Sequence, residues 1–360
     1  MQAGLAEVAG TGTAHGKADT APRAPLHVSA GEWARVASTV ERDRLTGLAA
    51  LALVDGALVL DEATTTDLAE RDRRVQALTV RAERSTLELH DALRAAGLPH
   101  LVLKGPAIAH AHYPDPAARP FADVDVLVPP ESVDEVVRSC EAAGAARIVP
   151  QLRPGFDRRF AKSVTLRTSA GVELDVHRTL TQGPLGQLVA LEDLWAVPDE
   201  VEVLPGRRLP VLGADAAFLH ACLHVACGGA PRWLSLRDVV ATSASTDLAR
   251  CAELAGRWRA RGAVRAAVGA VAQRGLPLPR RLAEWSAALP TTDEEERIAT
   301  AYAAEPLTAR ALARASLRYV TGPRAKAAYA WALAAPAADN RQARGRTITG
   351  QLRRVLGRAR

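Results

Sequence analysis

The chain has 360 residues, of which 48% are hydrophobic and 24% are charged, a composition that is a poor fit to disordered, collagen-like and membrane-spanning classes. Its formal net charge is +6, but residues 341–360 contain seven arginines and no acidic residue. The remainder is close to neutral, so the charge does not indicate a nucleic-acid-binding protein.

The first 97 residues predict a leader followed by helices. Residues 1–25 are rich in Gly, Ala, Thr and Pro without periodicity, which is typical of a disordered leader. Ser29 and Glu32 have the spacing of a capping box, and apolar residues recur at helical intervals after them. Gly97, followed by Pro99, is a helix stop signal. We expect an N-terminal helical segment over residues 26–97.

From residue 98 to residue 212 the pattern changes to short apolar strands separated by short helices. Residues 100–104 predict a strand, and Pro106 suits the first turn of a helix that follows Gly105. After Gly213 the sequence is helical in character to about residue 340, and a basic tail occupies 341–360. The sequence therefore predicts an α/β core between two helical regions, with no membrane span.

An alternating acidic and aliphatic run indicates where chemistry could lie. Side chains alternate faces along a strand, so Asp123 and Asp125 share one face of the predicted strand 122–128, and Val124 and Val126 share the other. Two neighbouring carboxylates repel each other unless a cation neutralises them. Oxygen ligands at this spacing suit Mg²⁺ together with substrate phosphates.

A second acidic strand strengthens this interpretation. Glu173, Asp175 and His177 share one face of the predicted strand 172–177. If the two strands are neighbours, a third carboxylate reaches the Asp123/Asp125 pair. Three acids on adjacent strands can hold two metal ions, which clamp the attacking and leaving oxygens of a phosphoryl transfer.

Several short motifs occur along the chain in a fixed order. They are Leu103-Lys104-Gly105, Tyr113-Pro114-Asp115-Pro116, Arg119-Pro120, Asp123-Val124-Asp125, Glu173-Leu174-Asp175-Val176-His177, the run Phe218 to His224, Arg232-Trp233-Leu234 and Arg237-Asp238. In this spaced combination the chain resembles the uncharacterised nucleotidyltransferases of the DNA polymerase β superfamily over roughly residues 35–290.

The resemblance implies an α+β fold, with a small mixed β-sheet core flanked by helices and a C-terminal helical domain. It also implies transfer of a nucleoside monophosphate from an NTP to an acceptor, with release of pyrophosphate. Asp123, Asp125 and Asp175 would be the catalytic metal ligands, for two Mg²⁺ ions or alternatively Mn²⁺. The acceptor is left open among a small molecule, a peptide or protein and an RNA end, and so is the oligomeric state.

The nucleotide-binding residues implied are Lys104, Gly105 and Arg119. Gly105 would let the backbone approach the triphosphate closely. The wider superfamily has Gly-Ser at this turn, whereas this chain has Lys104-Gly105-Pro106. We therefore hypothesise that Lys104 replaces the serine contact as a point charge. Glu173, His177, His224 and Asp238 are expected as cleft neighbours.

Histidines and cysteines also cluster at His220, Cys222, His224 and Cys227. On a helix, His220 and His224 share a face while Cys222 points elsewhere, so we favour packing over a zinc site. The four cysteines of the chain show no paired C-x-x-C spacing, which favours a reduced, cytoplasmic location.

Two other functions remain open at this stage. A nucleotide-sugar glycosyltransferase also uses Asp-x-Asp to hold a metal and a diphosphate, but it needs alternating strands and helices before that motif. A non-catalytic NTP-binding regulatory module could keep the fold without turnover. The presence of all three acids argues against this module, and the missing serine argues mildly for it.

Overall fold

The computed structural model describes residues 24–229, 231–303 and 308–343. The predicted leader at 1–25 and basic tail at 341–360 therefore lie mostly outside the described residues. In chain order the N-terminal elements are β1 (Leu26–His27), α1 (Ala30–Arg42), α2 (Thr46–Val54), β2 (Leu58–Val59) and α3 (Glu62–Ala95).

The N-terminal segment begins with the predicted capping box. The Glu32 carboxylate accepts from the Ser29 backbone N–H at 2.9 Å, and Ser29 Oγ accepts from the Glu32 N–H at 3.4 Å. Trp33, three residues into the helix, is buried and donates from its indole N–H to Asp67 on α3 at 2.6 Å. The sequence did not predict the short parallel pairing of β1 with β2, because two-residue strands leave no period to detect.

The core alternates strands and helices, as predicted. Its elements are β3 (Leu101–Val102), α4 (Pro106–His112), β4 (Asp123–Leu127), α5 (Val133–Ala142), β5 (Ala146–Arg147), α6 (Phe156–Phe160), β6 (Ser163–Arg167), β7 (Glu173–His177), α7 (Leu185–Leu188), α8 (Leu191–Ala196), β8 (Pro198–Leu204) and β9 (Arg207–Leu212).

Seven strands form one mixed sheet in the order β5-β6-β7-β4-β3-β9-β8. The β4–β7 and β3–β9 pairs are parallel, and the other pairs are antiparallel. Val124, Val126, Leu174 and Val176 are buried on one face in a hydrophobic cluster with residues of α3 and α5. The fold class is therefore α+β, as the sequence implied.

The C-terminal part is helical, as predicted. Its helices are α9 (Ala214–Cys227), α10 (Trp233–Thr242), α11 (Leu248–Arg257), α12 (Arg261–Gln273), α13 (Arg280–Ala288), α14 (Asp293–Ala303), α15 (Ala309–Leu317), α16 (Pro323–Ala334) and α17 (Ala338–Ala343). None of the helices in the described part of the chain is long and apolar enough to cross a membrane.

One hydrophobic cluster joins the three regions. It contains Leu45 and Leu48 of the N-terminal segment, Leu127 of β4, and Phe218 and Leu219 of α9. Leu127 lies on the same face of β4 as Asp123 and Asp125, so this cluster adjoins the acidic face of the sheet. Helices of the N-terminal segment and of the C-terminal part thus pack near that face, where Asp125 is buried.

Candidate active site

The β4–β7 ladder brings the two acidic strands together in register. Asp125 is paired with Asp175, Asp123 with Glu173, and Leu127 with His177. Because the strands are parallel and in register, the alternating side chains of both project from one face of the sheet. The sequence left open whether the two acidic strands are neighbours, and in the structure β4 and β7 are adjacent.

Asp125 is the most enclosed carboxylate of this face, with 3% of its side chain exposed. Its Oδ1 lies 2.8 Å from His177 Nε2, and its Oδ2 lies 3.0 Å from Lys104 Nζ. Burial disfavours the negative charge, but Lys104 and His177 outweigh it and hold the pKa of Asp125 well below its ordinary value. Asp125 is therefore a carboxylate whose two oxygens each face a nitrogen, His177 Nε2 on one side and Lys104 Nζ on the other.

His177 is fully buried and is oriented from both sides of its ring. Nδ1 lies 3.2 Å from the Thr179 carbonyl, which can only accept a hydrogen bond. Nε2 is left facing Asp125 and lies 3.9 Å from Asp175 Oδ2. An imidazole held through Nδ1 by a backbone carbonyl is the usual arrangement of a metal-ligating histidine.

Asp125, Asp175 and His177 form a group that could hold a metal ion, because one ligand atom from each lies within 4.8 Å of the others. Asp175 is fixed through its second oxygen, which accepts from Thr165 Oγ1 on β6 at 2.5 Å. Two carboxylates and one imidazole suit a divalent ion, and the nitrogen ligand suits Mn²⁺ better than Mg²⁺. The residues present therefore fit a divalent metal ion.

Asp123, the third predicted ligand, lies outside this group of three. Its side chain is 42% exposed, and Oδ1 lies 3.6 Å from a guanidinium nitrogen of Arg44. A ligand role for Asp123 stays a prediction. Glu173 is exposed and lies near Arg167, at 3.9 Å, so Asp175 is the acid of β7 that the structure places beside Asp125.

Gly105 forms the turn from β3 to α4 that the sequence predicted. Its φ of 58° and ψ of −120° are strained for a residue with a side chain. An added Cβ would also lie 3.1 Å from the Phe121 ring. The backbone conformation and the contact with Phe121 both favour glycine at residue 105, and a close approach of the triphosphate to this turn stays a prediction.

Arg119, predicted to contact phosphate, is buried and is held by other groups. Its Nε and Nη2 donate to the two oxygens of Asp238 at 2.8 and 2.7 Å, and its Nη1 donates to the Gly105 carbonyl at 3.3 Å. Burial opposes the charge, but Asp238 raises the pKa of Arg119. Tyr113 completes the network by donating to Asp238 at 2.9 Å. The guanidinium thus ties the Gly105 turn to α10, and a phosphate contact stays a prediction.

His220 and His224 lie one turn apart on α9. Burial, together with the positive charge of Lys104, lowers the pKa of the His220 imidazole well below its ordinary value. His220 is buried and His224 is exposed. Within the described residues, His220, Cys222, His224 and Cys227 are not found as a metal-binding group.

Sequence reasoning missed three neighbours of the site. Lys162 precedes β6, and burial followed by the charge of Lys104 lowers its pKa. Thr165 holds Asp175, and Arg44 reaches Asp123 from the end of α1. Thr165 had a detectable signal, because strand alternation places it on the same face as Asp175 once β6 pairs with β7. Arg44 and Lys162 had none.

The protein has an α+β fold, and two paired strands of its mixed sheet carry two carboxylates and a histidine that could bind a metal ion. The family described as uncharacterised nucleotidyltransferase matches residues 29–274, more than half of the chain. The chain belongs to this family. No curated protein matches it.

Proposed function

We propose that the protein is a divalent-metal-dependent nucleotidyltransferase that transfers a nucleoside monophosphate from an NTP to an acceptor and releases pyrophosphate. The observation that carries this proposal is the Asp125, Asp175 and His177 group. Family membership supports the same reaction class. Lys104 and Lys162 add positive charge beside this group, which favours a polyphosphate substrate.

In the proposed reaction, an acceptor oxygen attacks the α-phosphorus of the NTP. A new bond forms between that oxygen and phosphorus, the bond from the α-phosphorus to the bridging oxygen breaks, and pyrophosphate leaves. A bound divalent ion would neutralise charge on the reacting phosphate oxygens. Asp125, Asp175 and His177 would hold it. We assign Asp175 as the general base that removes the proton from the acceptor oxygen, because its side chain is more accessible than that of Asp125.

We propose Mg²⁺ as the ion, because it accompanies NTPs, and Mn²⁺ as the alternative that His177 favours. We also propose a cytoplasmic location. All four cysteines are buried free thiols, and such thiols are typical of proteins in a reducing compartment.

A label-transfer assay tests the proposal. The full chain is incubated with each NTP labelled at the α-phosphate, with Mg²⁺ or Mn²⁺, and with small molecules, peptides or RNA as separate acceptor classes. We expect metal-dependent transfer to one class, matched by pyrophosphate release and lost in Asp175→Asn. Absence of label transfer and of pyrophosphate release with every class would contradict it.

A non-catalytic NTP-binding module is the second candidate, because Lys104 already neutralises Asp125. In the label-transfer assay it would bind NTP without releasing pyrophosphate. The glycosyltransferase alternative receives no such support. It requires alternating strands and helices before Asp123, whereas residues 24–97 hold three helices and only two strands of two residues each.

A further inference from the structure

Lys104 lies where a cation would be expected beside the acidic cluster. Its Nζ is 3.0 Å from Asp125 Oδ2, and 16% of its side chain is exposed. The other oxygen of Asp125 faces His177 Nε2 at 2.8 Å. Asp125 Oδ1 therefore faces the candidate metal position beside His177, whereas Asp125 Oδ2 is paired with Lys104.

The positive charge of Lys104 disfavours the binding of a second divalent ion at Asp125. Asp125 is paired with the Lys104 ammonium, Lys162 adds positive charge near Asp125 and Asp175, and Arg44 lies 3.6 Å from Asp123. The three carboxylates therefore already have positively charged neighbours before a metal ion binds. A second divalent ion would compete with Lys104 for Asp125 Oδ2 at close range and would leave the protein-held cluster with excess positive charge. Like charges at a few ångströms in sheltered surroundings repel strongly.

We propose that Lys104 takes the place of the second cation, so that the protein without nucleotide binds a single divalent ion. This inference rests on the proposed function and replaces the two ions that the sequence predicted. An ammonium offers three donors. One donor faces Asp125, and the exposed part of the side chain leaves donors for a phosphate oxygen of the NTP.

Lys162 provides a matched control. Its charge also acts on Asp125 and Asp175, but among the described residues the ion pairs recorded for Asp125 are those with Lys104 and His177. Removing the Lys162 charge changes the local potential without freeing Asp125 Oδ2. If only the Lys104 variants gain a second bound ion, Lys104 acts by occupying the position at Asp125 Oδ2. If Lys162→Met gains one as well, the change in local potential is sufficient.

The test is a Mn²⁺ titration of the full chain without nucleotide, followed by electron paramagnetic resonance of the free ion. We expect one Mn²⁺ per chain for the wild type, Lys104→Arg and Lys162→Met, and two for Lys104→Met. Lys104→Gln, a second neutral variant that keeps a polar side chain, should also bind two. Circular dichroism identifies any variant that has not folded.

Two tightly bound ions in the wild type, or one ion in the folded neutral Lys104 variants, would overturn the role of Lys104 and leave the proposed function standing. No bound Mn²⁺ in the wild type and in every folded variant would instead remove the metal site and the proposed function with it.

Discussion

His177 Nε2 lies 2.8 Å from Asp125 Oδ1 across two paired strands, and this contact defines the candidate metal site. The ladder sets His177 opposite Leu127, two residues beyond the Asp125–Asp175 pair. Nδ1, 3.2 Å from the Thr179 carbonyl, fixes the ring with Nε2 toward the carboxylates. A histidine that the sequence placed only as a cleft neighbour thus joins the group of residues that could hold a metal ion.

His177→Ala is predicted to weaken Mn²⁺ binding by about tenfold or more, because it removes one of three converging ligands. His27, an exposed residue of β1, supplies the control, and His27→Ala should bind Mn²⁺ like the wild type. Calorimetric titration of Mn²⁺ into both variants makes the comparison. Equal affinity in the two would exclude His177 as a ligand.

Asp125→Asn and Asp123→Asn are predicted to differ in stability. Asp125 is 3% exposed and pairs with Lys104 and His177, so its loss should lower the free energy of unfolding by about 1–3 kcal/mol. Asp123 is 42% exposed, and its pair with Arg44 is long, so its loss should cost less than about 0.5 kcal/mol. Urea denaturation measures both values. A cost for Asp123→Asn as large as that for Asp125→Asn would contradict the burial argument.

Gly105→Ala is predicted to destabilise the fold more than Gly97→Ala. Both glycines have positive φ, 58° and 67°, and alanine there costs about 1–2 kcal/mol. Only at Gly105 would the new Cβ also crowd the Phe121 ring, whereas it would meet nothing within 4 Å at Gly97. Thermal unfolding of the two variants tests this, and equal losses would mean that the turn can relax.

The free energy of unfolding is predicted to fall as the pH drops below about 6.5. Burial and Lys104 keep the pKa of His220 well below its ordinary value. Below about pH 6.5 this histidine is therefore protonated in the unfolded chain but not in the folded chain, and protonation stabilises the unfolded chain. Each such histidine contributes up to about 1.4 kcal/mol per pH unit. Asp125 contributes at lower pH. Because its pKa is lowered in the folded chain, its ionised form stabilises the fold, and this contribution is lost as the pH falls below the ordinary pKa of a carboxyl group.

His220→Gln should flatten this dependence between pH 7.5 and pH 5.5, because glutamine does not titrate. Urea denaturation at the two pH values, on the wild type and the variant, gives the slopes. An unchanged slope in a folded variant would show that other groups set the pH dependence.

Local pattern and spacing predicted much of this site. Strand alternation placed Asp175 and His177 on one face, and the glycine turn at Gly105 followed from Pro106. Contacts between distant residues were not predictable, because nothing in the sequence relates Arg119 to Asp238 or Arg44 to Asp123 before the chain folds. Lys104 shows the limit most clearly, since its residue type suggested a phosphate contact and only the folded geometry places it on Asp125.

The most direct test of the metal-dependent nucleotide site is calorimetric titration of the four NTPs, with and without Mg²⁺, into the wild type, Asp175→Asn and Glu173→Gln. Glu173 is the matched control, an exposed acid on the same strand and the same face. We expect metal-dependent binding of at least one NTP to the wild type and to Glu173→Gln, and loss of that binding in Asp175→Asn. Binding that is independent of metal, or that Asp175→Asn retains in full, would contradict this expectation.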